Sequence, residues 1–142
     1  MDKVMRILIL EDTASDADLM EFELMDAGIA FTVKRAMNEK AFLQGLDEFS
    51  PDLILSDYDL PQYTGALALA EAKSRCPDIP FILVTGALEK NDERIGEILT
   101  KGAIDCVSKS RLGHLVPAVR RALCFDSGAR ESDGPPVRIG NV

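Results

Sequence analysis

The chain is poor in the residues that announce cofactor or disulfide chemistry. Cysteine occurs only at Cys76, Cys106 and Cys124, an odd number with no C-x-x-C spacing. That pattern suggests neither a structural zinc site nor a disulfide framework, and it fits a reducing cytoplasm. Cys106 and Cys124 stand among apolar residues and read as small buried hydrophobes. The single histidine, His114, has no metal-type ligands beside it and reads as an exposed or capping residue. No apolar run approaches the ~20 residues of a membrane span. The amino terminus has no signal-peptide core and runs straight into a short aliphatic stretch. Dense Lys/Arg runs, repeats and low-complexity tracts are missing too. With a formal net charge of -8, non-specific binding to nucleic acid or an anionic membrane is disfavoured.

What is present is one domain's worth of ordinary globular composition: 142 residues, 46% hydrophobic and 28% charged. Short aliphatic runs predict strands over 5–10, 31–35, 53–56, 81–84 and 104–107. The first, third and fourth are continuously apolar, as strands buried on both faces of a parallel sheet are. Between them the spacing is helical. Ala17, Met20, Leu24 and Ala27 share one face of a first helix, with Ser15 as N-cap and Gly28 as stop. Further helices are predicted over 38–48, 65–75, 92–101 and 114–125, with Pro117 confined to the first turn of the last. Strands alternating with helices in this way give an α/β fold, a (βα)5 doubly wound parallel sheet. After Phe125 apolar periodicity stops and turn formers and charges take over. Residues 1–125 therefore read as the domain and 126–142 as a disordered tail or linker.

Polar groups stand at the carboxyl ends of four of these strands. Glu11-Asp12 follows the first, Asp57 the third, Thr85 the fourth and Lys109 the fifth. In an open α/β sheet those ends line one crevice, where ligands bind. Carboxylates with few other donors suit Mg²⁺ or Mn²⁺, which prefer hard oxygen ligands. Asp12 and Asp57 are the candidate direct ligands, with Glu11 acting through water and the Tyr58 backbone carbonyl adding an oxygen. Without a metal the carboxylates repel, so one pKa should rise. With a metal bound, Asp57 stays ionised and can attack phosphorus as a carboxylate nucleophile. Lys109 and Thr85 would neutralise and hydrogen-bond the phosphoryl oxygens. Gly86 and Ala87 are small and leave the crevice open, and Asp59 is placed to tune water near the phosphoryl group. Singly, each of these residues has an ordinary structural reading as a turn former, a helix starter or a solvated side chain. Jointly they do not.

Glu11-Asp12, Asp57 with Leu60-Pro61 and Gly65, Thr85-Gly86-Ala87, and Gly102-Ala103-Ile104-Asp105 leading to Lys109 together resemble a receiver domain of the two-component response-regulator family. The subgroup it looks most like is often joined to sensory or histidine-kinase modules. The resemblance implies strand order 2-1-3-4-5, Mg²⁺ dependence, and phosphorylation of Asp57 by a histidine kinase or phosphotransfer protein within a phosphorelay. It also implies output, and any dimer contact, through the last two helices and the fifth strand. Two positions depart from the family. Cys106 stands where a switching Tyr or Phe is usual, and Ser110 where a cis-proline is usual. A cis bond before a non-proline residue costs roughly 2.5–4 kcal/mol, so a trans Lys109–Ser110 bond is expected.

Two other functions compete. Asp57-Tyr58-Asp59 also reads as the D-x-D of an aspartate-nucleophile phosphatase, although that motif normally ends a first strand rather than a third. A receiver fold that binds partners without phosphorylation is the other, suggested by Cys106. Fewer than about 20 residues follow the last helix, too few for a second cored domain. A stand-alone regulator and a receiver from a longer chain both fit.

Overall fold

The computed structural model describes residues 4–86 and 93–131, with side chains as far as Leu123. Its main sheet is parallel and five-stranded, in the order β2-β1-β3-β6-β7. These strands are β1 (Met5–Leu10), β2 (Phe31–Ala36), β3 (Leu53–Ser56), β6 (Phe81–Thr85) and β7 (Asp105–Ser108). Counting only this sheet, the order is the expected 2-1-3-4-5. The helices are α1 (Ala14–Asp26), α2 (Glu39–Glu48), α3 (Gly65–Arg75), α4 (Glu93–Thr100) and α5 (Leu115–Glu131).

Strand alternation divides the core in two. Leu8, Leu10, Ile54, Phe81 and Leu83 point to one face and pack with Phe42, Leu46, Leu69, Ile95 and Ile98 of α2, α3 and α4. Ile7, Ile9, Leu53, Leu55, Ile82 and Val84 point to the other and meet Met20 and Leu24 of α1 and Leu115 and Val119 of α5. Every residue of β3 and β6 is buried. This is why those strands read as unbroken apolar runs. β2, at the edge, alternates instead.

Local signals close several elements. The Asn38 side chain accepts the Ala41 N–H at the start of α2, and Thr64 Oγ1 accepts that of Leu67 at the start of α3. Gly28, at φ 79°, ends α1 while its N–H bonds the Met25 carbonyl.

Four details differ from the sequence expectation. The N-cap of α1 is Thr13 and not Ser15: the Thr13 carbonyl accepts from both Asp16 and Ala17, so the first turn closes there. A two-residue hairpin, β4 (Asp59–Leu60) with β5 (Tyr63–Thr64), follows Asp57. A 3₁₀ helix, Lys109–His114, precedes α5. α5 itself runs on to Glu131, beyond Phe125, with Ala129, Arg130 and Glu131 all good helix formers. Residues 132–142 of the expected tail, and Ala87, lie outside the described residues. Pro117 sits in the first turn of α5, as expected. Among the described residues no helix is long and apolar enough to cross a membrane.

Candidate functional site

The four strands that end in polar residues are neighbours, and their register aligns those ends. Leu10 pairs with Ser56, Ser56 with Leu83, and Thr85 with Ser108. Backbone bonds continue past the strand ends. The Asp57 N–H donates to the Leu10 carbonyl and the Glu11 N–H to that of Ala36, each at 2.9 Å. The carboxylates therefore leave a rigid ladder, not a loop. Glu11 is 2% exposed, Asp57 6% and Thr85 1%. Polar residues so deeply placed need partners.

Lys109 is the main partner. Its Nζ lies 2.8 Å from Glu11 Oε1, 2.8 Å from Asp16 Oδ2 and 3.0 Å from Asp57 Oδ2. An ammonium has three protons, and here three carboxylates surround it. Asp57 Oδ1 accepts the Tyr58 N–H at 2.6 Å, which orients the carboxylate. Glu11 Oε2 accepts the Thr13 N–H at 3.1 Å. Oxygens of Glu11, Asp12 and Asp57 lie within 4.8 Å of one another, close enough to share one cation. An all-oxygen, three-carboxylate set fits a hard divalent ion such as Mg²⁺ or Mn²⁺.

The charges answer to this crowding. Glu11 is raised above the ordinary carboxylate range, mainly by burial, with the Asp57 charge adding to it and Lys109 opposing. The rise expected from mutual repulsion is present, but desolvation is its larger cause. Burial alone would lower Lys109. Its bonds to Asp16, Glu11 and Asp57 outweigh that and raise it. Lys109 is held firmly as a cation.

The remaining candidates separate. Gly86 carries the Lys109 stem beside it: a Cβ there would stand 3.6 Å from Lys109 Cβ, in ordinary contact. The Tyr58 carbonyl already accepts the Gly65 N–H at 2.7 Å, which occupies one of its lone pairs. Asp59 is exposed at the start of β4, apart from the buried cluster. The D-x-D pair thus joins a buried carboxylate to an exposed one. Cys106 lines a cavity of about 620 Å³ with Thr85, Ile95, Leu99, Arg111 and His114. Its thiol is pushed up to about 11, chiefly by burial, and so is a poor nucleophile. No described peptide bond is cis, so Lys109–Ser110 is trans. The Ser108 hydroxyl accepts the Ser110 N–H at 3.2 Å and opens the 3₁₀ turn.

Sequence reasoning missed Asp16. The available signal was an acidic residue in the first turn of the helix that follows the acidic pair. Such a residue also has a bland explanation, since it suits the helix dipole.

This fold and site define a receiver-type α/β module, and comparison with known proteins agrees. A profile of the response regulator receiver domain matches residues 7–120, and the chain belongs to that family. A protein-glutamate methylesterase/protein-glutamine glutaminase of Treponema denticola is 29% identical over 105 residues, which are 73% of this chain and 28% of that protein. The two-component response regulator ORR1 of Oryza sativa subsp. japonica is 27% identical over 148 residues, covering 94% of this chain and 62% of its own. The chain therefore spans under a third of the first and less than two thirds of the second. Among solved structures, the signal receiver domain of a putative LuxO repressor protein from Vibrio parahaemolyticus superposes with a TM-score of 0.77. It has 22% identity and covers 93% of this chain and 99% of that one. The response regulator domain of Thermotoga maritima CheB gives 0.73 at 22% identity, covering 85% and 97%. Both show the same fold.

Proposed function

We propose that this receiver accepts a phosphoryl group on Asp57 from a phosphohistidine of a histidine kinase or phosphotransfer protein, in a reaction that needs Mg²⁺ or Mn²⁺, in a reducing cytoplasm. The observation that carries the reading is the placement of a buried Asp57 between an acidic pair and a triply paired Lys109. An Asp57 oxygen attacks phosphorus, the P–N bond breaks, and the imidazole leaves with the bonding pair and takes up a proton. Water later attacks the same phosphorus, which releases inorganic phosphate and restores the carboxylate.

The chain's own residues supply most of what this needs. The Tyr58 N–H orients Asp57. Lys109, ionised at any physiological pH, passes from carboxylate oxygens to phosphoryl oxygens as charge shifts onto the latter. The Thr85 hydroxyl, at the end of β6, is the hydrogen-bond donor on the other side. Glu11, Asp12 and Asp57 would hold the divalent ion, which when bound neutralises charge on the incoming phosphoryl group. Output then passes by protein contact through α4, β7 and α5. Cys106 leaves that face without a ring to swing, so the readout differs from the aromatic one.

Intact-mass measurement after incubation with acetyl phosphate tests the reading. Wild type should gain one phosphoryl group with Mg²⁺ and none without it, and Asp57→Asn should gain none, because an amide is not a nucleophile. Full labelling of that variant would overturn the acceptor assignment. Labelling of neither protein, by acetyl phosphate or by a phosphohistidine donor, would favour an interaction module that works without phosphorylation.

A further inference from the structure

Lys109 shares two of its three carboxylates, Glu11 and Asp57, with the cluster suited to a divalent ion. The ammonium and the ion therefore compete for the same negative charge. Asp16 is the exception. Its Oδ2 accepts a hydrogen bond from Lys109 Nζ at 2.8 Å, yet its oxygens are not within the Glu11–Asp12–Asp57 cluster. Asp16 comes from a different element as well, the first turn of α1, ninety-three residues away in sequence. Its side chain is 32% exposed, so its charge is less costly to keep than that of Glu11.

We infer that Asp16 is a positioning residue that anchors Lys109 while Glu11 and Asp57 turn to the divalent ion. This inference rests on the phospho-acceptor reading and specifies how its site is regulated. With Asp16 present, entry of the cation costs Lys109 two ion pairs but leaves one. The ammonium stays at the rim of the site, ready for the phosphoryl oxygens, and need not be expelled into solvent. Without Asp16, every carboxylate available to Lys109 is one the cation also needs. The competition then sharpens and cation binding weakens. A carboxylate that merely adds negative charge to the site, or merely suits the helix dipole, has no such dependence on Lys109.

A double-mutant cycle on cation affinity separates these roles. Mg²⁺ binding is measured by titration calorimetry for wild type, Asp16→Asn, Lys109→Met and the double variant, with melting curves to confirm that each is folded. Asp16→Asn should weaken Mg²⁺ binding about fivefold, the size of an ordinary coupling between contacting groups. Lys109→Met should strengthen it by removing the competing cation. The double variant should bind like Lys109→Met, because Asp16 has nothing left to hold. Equal weakening by Asp16→Asn with and without Lys109 would overturn the inference and leave Asp16 as a general charge. No weakening in either background would overturn it as well. If wild type itself bound no Mg²⁺, the phospho-acceptor reading would fall and this inference with it, an outcome distinct from the other two.

Discussion

At the scale of single residues, the site is a compromise between burial and charge, and Glu11 bears most of the cost. Its carboxyl is raised from 4.5 mainly by desolvation. The folded state therefore holds the Glu11 proton more tightly than the unfolded chain does. Its contribution to stability is full below pH 4.5 and is lost as pH rises through the raised folded value. Glu11→Gln removes that loss and leaves Lys109 with Asp16 and Asp57. The metal-free variant should melt above wild type at pH 7, because the neutral amide escapes the desolvation that raises Glu11. The gap should close as pH falls towards 4.5. Calorimetric melts across that range check both parts, and a gap independent of pH would mean that desolvation of the charge is not its origin. The same substitution removes a candidate ion ligand, so its gain should shrink when Mg²⁺ is added. Lys109 has no such window near neutrality. A raised lysine contributes stability in full below 10.5 and loses it only in strong alkali.

At the scale of elements, the turn after Asp57 is the most tightly constrained part of the site. The chain leaves β3, forms the β4–β5 hairpin and enters α3 at Gly65, whose N–H returns to the Tyr58 carbonyl. A Cβ at Gly65 would stand 2.7 Å from the Asp57 carbonyl oxygen and 3.0 Å from Tyr58 Cα. These are backbone atoms beside the acceptor and cannot swing aside as a side-chain end would. Gly65→Ala should cost about 1–3 kcal/mol, the range for overpacking a filled site. It should also lower the yield of phosphorylated protein by displacing Asp57. Denaturant unfolding and intact mass together check this. Full stability, or an undiminished yield, would mean the turn is slack. The sequence placed α3 at about 65–75, with Pro77 as the residue that closes it, and the helix runs from Gly65 to Arg75. The sequence concealed the hairpin, whose strands are two residues each and whose turn places Gln62 at φ 60°, a conformation that Gly or Asn usually marks. The start of α1 was placed at Ser15 and lies at Thr13, which is a capping type too. Only the closed first turn distinguishes them. Asp16 was illegible for a different reason. Its contact with Lys109 spans the whole fold, and periodicity carries no information on which distant side chain a helix terminus will meet.

At the scale of the whole molecule, sheet order decides what meets what. Continuous apolar runs made the buried parallel strands legible, but their order in the sheet was legible only through the resemblance to the receiver family. The ends of β1, β3, β6 and β7 converge because these strands are adjacent. The outcome is a concentration of negative charge at one end of a chain already at -8. Two effects of added salt must then be told apart. Monovalent salt screens general repulsion, with a Debye length of about 10 Å at 0.1 M, and should raise the melting temperature slightly. A divalent ion that binds the folded cluster but not the unfolded chain adds a linkage contribution, about 2.7 kcal/mol at a hundredfold excess over its dissociation constant. For a domain of this size that is a rise of about 10 °C. Melts in MgCl₂ and NaCl at matched ionic strength should therefore differ by roughly that amount in wild type. In Asp12→Asn the difference should largely vanish, because one of the three gathered carboxylates is gone while the net charge changes by a single unit. If the two salts protected wild type equally, the cluster would be a patch of repulsion relieved by any counterion. The metal-dependent reading of the site would then fail at the same time as its geometry held.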